Sequence, residues 1–179
     1  YMATENWQIL VKERQFNDLI MEWNAKINLV SRQKNNVLDL IEDSRLFFEG
    51  IEFKPGLNIL DLGTGGGFPG IVIAIHHPET NIVLVDSIQK KISVVSDIIK
   101  RMELTNTIAI CSRAESLVAG GFLQGKMKHH YDYVVSRSVA VLQDLCAWSK
   151  SIIKPGGRLV TLKGGDIQGE IHKTRSLPY

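Results

Sequence analysis

Apolar residues recur at helical spacing over the first fifty positions and gather into short unbroken runs after that. Phe16, Leu19, Ile20, Trp23 and Ile27 share one helical face, with charged residues on the others, so the opening segment is predicted to be a helix. A second helix is predicted from Asn36, a favourable N-cap, through Val37, Leu40, Ile41, Ser44, Phe47 and Phe48 to Gly50. The connection between them is polar and turn-like after Val30, and Phe53-Lys54-Pro55-Gly56 ends the helical pattern. From Leu57 onward, LNILDL (57–62), NIVLVD (81–86), TIAICS (107–112), YDYVVS (131–136) and RLVTLK (158–163) read as strands rich in β-branched and aliphatic residues. Helices are predicted between them from near Pro69, Gln89 and Leu142. Alternation of strand and helix implies a mainly parallel sheet covered on both faces. The expected organisation is an α/β domain over residues 55–179 behind a helical N-terminal extension over residues 1–54.

Composition changes this picture little. With 179 residues, 44% hydrophobic and 22% charged, the chain suits one soluble domain with a substantial core. Charge is uneven: residues 1–54 balance at −2 and residues 55–179 at +4, which is compatible with a polyanionic substrate at the second part. Cys111 and Cys146 are far apart and in no metal-type spacing, as expected of reduced thiols in the cytoplasm. No apolar run approaches the ~20 residues of a membrane span, and the N-terminus lacks a signal pattern. A monomer is the default expectation.

The candidate chemistry lies in ILDLGTGGGFPG (59–70), which holds five of the fifteen glycines directly after a predicted strand. In doubly wound sheets, ligands bind beyond the carboxyl ends of the strands, and glycine there lets a ligand approach bare backbone. The stretch parses in two ways. Gly65 to Gly70 satisfies the GxGxxG of dinucleotide sites, with Asp86 21 positions after Gly65. Read from Asp61, it is D-x-G-x-G-x-G, the first motif of Rossmann-like methyltransferases that use S-adenosylmethionine. The position of Asp61 inside the strand favours the second parse, because a pyrophosphate gains nothing from added negative charge. So does SIIKPGGRLVTLK, read as a helix, a Pro-Gly-Gly turn and a strand. On this parse Asp61, Gly63, Gly65 and Gly67 are expected at the cofactor. Asp86, closing the second strand, is expected to accept both ribose hydroxyls of an adenosine.

Beyond the glycine loop, WNAKINLVSR (23–32), Asp43-Ser44, DLGTGGGFPG (61–70), DSIQKK (86–91), SRAES (112–116), VSR (135–137) and LKGG (162–165) together resemble the RsmG (GidB) family. Those enzymes methylate a guanine N7 in small-subunit ribosomal RNA. The resemblance implies a Rossmann-like, S-adenosylmethionine-dependent methyltransferase fold, and ribosomal RNA or a ribosomal particle as partner. It also implies cofactor contacts at Gly63, Phe68, Ala114, Glu115 and Arg137. Two features depart from the family pattern. Leu40 stands where the family usually has a His, three residues before Asp43, and the chain ends soon after the fifth strand, so two C-terminal strands are expected to be missing.

Guanine N7 carries no proton, so the transfer needs no general base, and the sequence offers no base–nucleophile constellation. Catalysis would come from alignment of N7 with the methyl carbon. Arg32, Arg137 and Lys163 are the candidates for substrate contacts. The basic stretch GGFLQGKMKHH (120–130) reads as a mobile loop, and the histidines, in adjacent pairs or alone, have no zinc-ligand spacing, so no metal is expected. Two other readings remain open on sequence: an NAD-dependent oxidoreductase, and a non-enzymatic ribosome-assembly factor with a degenerate pocket.

Overall fold

A computed structural model describes residues 2–31, 34–118, 130–137 and 139–175. Arg32 and nearly all of the stretch 120–130 lie outside these residues. Helix α1 (Met2–Asn24) is followed by α2 (Leu38–Arg45), which tightens into a 3-10 turn at Leu46–Glu49. The rest alternates: β1 (Asn58–Leu62), α3 (Gly70–His76), β2 (Asn81–Asp86), α4 (Gln89–Arg101), β3 (Thr107–Cys111), α5 (Ala114–Val118), β4 (Tyr131–Arg137), α6 (Leu142–Ser149), β5 (Ile153–Leu162) and α7 (Gln168–Arg175). The five strands form one parallel sheet in the order β3-β2-β1-β4-β5. The expected α/β architecture is present, and strand order reverses between β1 and β4, where a crevice opens at the strands' carboxyl ends.

Both faces of the sheet are buried, as its period-two alternation requires. Ile59, Ile82, Leu84 and Val135 point to one side, where α3 and α4 pack and where Phe16, Leu19, Ile20, Ile41 and Phe47 of the N-terminal helices join the same cluster. Leu60, Leu62, Val85 and Val134 point to the other and meet Leu145 and Ile152. The N-terminal helices thus supply part of the core that covers the sheet. Polar bonds fix them in place: Trp23 Nε1 donates to Asp97 Oδ2 on α4 at 2.9 Å, and the Val37 amide donates to Asn17 Oδ1 at 2.9 Å. Glu13, almost fully buried, accepts from Arg45 and pairs with His76, joining α1, α2 and α3.

Three local details differ from expectation. Ile27 lies past the end of α1, in a turn closed by its amide on Trp23 O. Asn36 serves α2 from one residue outside the cap, its Oδ1 accepting the Leu38 amide at 3.1 Å. The Pro-Gly-Gly expected as a turn before the last strand lies within β5. Pairing there slips from Tyr131–Ile153 to Tyr133–Arg158, a bulge that inserts extra residues. A Cβ on Gly157 would stand 2.7 Å from Asp132 O, so the bulged backbone runs hard against β4.

Candidate functional site

The residues between β1 and α3 make a tight loop whose walls are backbone. The amides of Gly63 and Thr64 both donate to Val85 O, at 2.8 and 2.9 Å, tying the loop to β2. Beneath it lies Asp61. Its place in β1 turns it toward α3, and it is fully buried. Its Oδ2 accepts from Thr64 Oγ1 at 2.7 Å and from the Gly70 amide at 2.9 Å, which joins the two ends of the loop. Gly70 must be glycine: a Cβ there would lie 2.1 Å from Leu84 Cδ2 and 2.7 Å from that carboxylate oxygen. Asp61 Oδ1 has no partner among the described residues. Burial pushes the Asp61 carboxyl up to about 7, opposed by the Thr64 and Gly70 hydrogen bonds and by the charge of Arg137, and aided by Asp86.

Above the loop a cleft of about 480 Å³ opens at the switch point between β1 and β4. Gly65 borders it with φ +58°, and the nearest atom to a Cβ built there is a backbone oxygen 4.0 Å away, so the loop is open toward the cleft. Beside Gly65 stands Asp86 at the end of β2. Its Oδ2 accepts the Gly65 amide at 3.0 Å and its Oδ1 the Ile88 amide at 2.9 Å, while Lys91 Nζ lies 4.0 Å off. Each carboxylate oxygen keeps a second lone pair, so Asp86 both shapes the loop and retains acceptor capacity on the cleft side.

The opposite wall belongs to β4. Arg137, its last residue, holds its guanidinium 5.3 Å from the ring centroid of Phe68, and among the described residues no carboxylate lies within ion-pair distance of it. Phe68 itself is 2% exposed and packs on Phe16 with ring centroids 5.0 Å apart, so it is at once core and cleft floor. Ala114 and Glu115, at the start of α5, border the cleft on the β3 side.

The expected site residues therefore separate. Gly63, Gly65, Phe68, Asp86, Ala114, Glu115 and Arg137 gather around one cleft. Asp61 and Gly67 do not line it: Asp61 anchors the loop from below, and Gly67, with φ +98°, fits its backbone over the Ile71 side chain. Lys163, expected to reach substrate, instead turns inward. Its ammonium bonds Ala140 O at 2.6 Å and Glu170 Oε2 at 2.7 Å, with only 11% of the side chain exposed. Sequence reasoning missed Leu29 and Val30, which line the cleft from the N-terminal segment. A signal was available in Asn24, whose Oδ1 accepts both of their amides at 2.9 and 3.0 Å and folds this stretch over the glycine loop. Val139 and Trp148, which complete the β4 side, carried no such signal.

Residues 10–178 match the GidB family, described as rRNA small subunit methyltransferase G. Among curated relatives, the ribosomal RNA small subunit methyltransferase G of Chlorobaculum tepidum is 44% identical over 155 residues, covering 86% of this chain and 67% of the relative. That of Chlorobium phaeobacteroides is 41% identical over 157 residues, covering 87% of this chain and 67% of the relative. The chain thus spans about two thirds of the length of these relatives. Among solved structures, a SAM-dependent O-methyltransferase from Thermotoga maritima superimposes with a TM-score of 0.60 at 17% identity, over 88% of this chain and 53% of its own, a likeness of fold.

Proposed function

Because the chain belongs to the GidB family of small-subunit ribosomal RNA methyltransferases, we propose that it methylates a guanine N7 in that RNA with S-adenosylmethionine as donor. The observation that carries the cofactor half is the bond between Asp86 and the Gly65 amide at the cleft rim: a carboxylate with spare acceptor capacity beside backbone that no side chain covers. A nucleoside with a vicinal diol and an amino-acid tail suits this chemistry and the cleft's volume of about 480 Å³. When bound, S-adenosylmethionine supplies an electrophilic methyl carbon on a sulfonium.

Each residue then has a definite task. Asp86 accepts the ribose hydroxyls, and Ala114 and Glu115 border the base. Gly65 keeps the loop open to the methionine portion, and Gly63 leaves room for the Val139 wall of the cleft. Asp61 holds that loop in shape through Thr64 and Gly70, and Gly67 allows its fold. Arg137, steadied over Phe68, is the cation at the substrate end and suits guanine O6 or a phosphate. Guanine N7 attacks with its own lone pair, so no side chain needs to remove a proton, and the chain's contribution is alignment of the two reacting atoms. Arg32, on the N-terminal segment, remains a candidate for RNA phosphate. The same family membership speaks against the NAD-dependent and non-enzymatic readings. On this reading the protein works as a monomer in the cytoplasm; among the described residues no helix is long and apolar enough to cross a membrane.

The test is to incubate the protein with S-adenosylmethionine and small ribosomal subunits from cells lacking the enzyme, then map methylated nucleotides by mass spectrometry. One new 7-methylguanosine is expected. Binding of the cofactor without any methylation would overturn the reading.

A further inference from the structure

Helix α7 has no buried residue, and its Glu170 ties it to the start of α6 and the end of β5. Glu170 Oε2 receives two donors: the ammonium of Lys163, just beyond β5, at 2.7 Å, and the backbone amide of Leu142, the first residue of α6, at 2.7 Å. Together they hold the Glu170 carboxyl below the usual carboxylate range. Lys163 completes the circuit by donating to Ala140 O at 2.6 Å. The segment between β4 and α6 is thus gripped at a carbonyl and, two residues later, at an amide. That segment carries Val139, a wall of the cleft, whose Cγ atoms lie 2.4 and 2.7 Å from where a Cβ of Gly63 would stand. It follows directly on Arg137, separated from Val139 by one residue.

We propose that Lys163 and Glu170 are positioning residues, a clasp that fixes the Ala140–Leu142 backbone and through it the Val139 and Arg137 wall against which the substrate base is aligned. This rests on the methyltransferase reading of the cleft. It reassigns Lys163: an ammonium engaged by a carboxylate and a carbonyl, and largely buried, has little left to offer RNA. Transfer by alignment is sensitive to such support, since a displacement of about 1 Å can cost about 100-fold in rate. The clasp therefore acts on kcat, whereas a direct RNA contact acts on KM and on its salt dependence.

The experiment compares Lys163→Met, Glu170→Gln, their double mutant and Lys163→Arg in the full chain, measuring methylation kinetics on small subunits and amide exchange at Leu142. Each single variant is expected to lower kcat about tenfold or more, with KM for particles within about threefold. The double mutant is expected to match the worse single variant, because both remove one linked unit. Lys163→Arg, still able to bridge Ala140 O and Glu170, is expected to recover most of the rate, and Leu142 exchange is expected to quicken in the first three. A defect confined to Lys163→Met and expressed in KM would overturn the clasp in favour of direct RNA contact. So would additive losses, or a Leu142 amide whose exchange does not change. A wild-type protein that methylates nothing would overturn the functional reading instead, while the Leu142 exchange would still decide for or against the clasp.

Discussion

Asp61→Asn isolates the cost of the buried carboxylate under the glycine loop. In the fold its carboxyl is pushed from an ordinary 3.8 to about 7, chiefly by loss of water. The folded protein therefore holds a proton at Asp61 at pH values where the unfolded chain has released it. A raised acid pKa of this kind contributes stability that is complete below the unfolded value and is lost as pH climbs through the folded one. Between pH 5 and pH 8 the loss is on the order of 3 kcal/mol, at ~1.4 kcal/mol per unit across the interval from 5 to about 7. Asparagine keeps an acceptor for the Gly70 amide and cannot ionise. Its amide hydrogens, placed where Oδ1 has no partner, add a roughly constant penalty of ~1–3 kcal/mol. Urea denaturation of both proteins at pH 5, 6, 7 and 8 should show wild type losing stability relative to Asp61→Asn as pH rises, with the difference levelling above pH 7. Since the charge of Arg137 opposes the shift, Arg137→Met should extend the fall to higher pH, its onset unchanged. A stability difference that stays flat with pH, or that grows in the opposite sense, would refute the reasoning.

Two further outcomes can be checked separately. Asp86→Ala removes the charged acceptor beside Gly65, and titration calorimetry with S-adenosylhomocysteine should show affinity reduced about 10- to 150-fold, the equivalent of ~1.5–3 kcal/mol; unchanged affinity would remove the ribose assignment. Gly70→Ala forces a methyl group to within 2.1 Å of Leu84 Cδ2 in a fully packed layer, and should cost ~1–3 kcal/mol in thermal or urea unfolding.

The N-terminal helices matter to function for a reason that lies in packing. Phe16 and Ile20 share a cluster with Phe68, and Asn24 directs Leu29 and Val30 into the cleft. A helix that reads as an extension along the chain thus helps build the floor and rim of the site. Disturbing it should therefore be felt at the cofactor as well as in stability.

The sequence by itself determined the strand–helix alternation, the parallel sheet and the position of the glycine loop, because each rests on local periodicity and turn chemistry. Asp86 and Arg137 were legible for the same reason: a polar residue ending an apolar strand must emerge at the sheet's carboxyl edge. Only the tertiary structure decided which polar groups face the cleft and which are spent holding it together. Asp61 and Lys163 were both expected at ligand or substrate, and both are tied up within the protein, one beneath the loop and the other by Glu170 and Ala140. Their partners lie 9 residues away for Asp61 and Gly70, and 23 for Lys163 and Ala140. Periodicity reports which face a residue occupies but not what the folded chain brings opposite it. The side chain opposite determines whether a charge remains free for a ligand or serves as a strut.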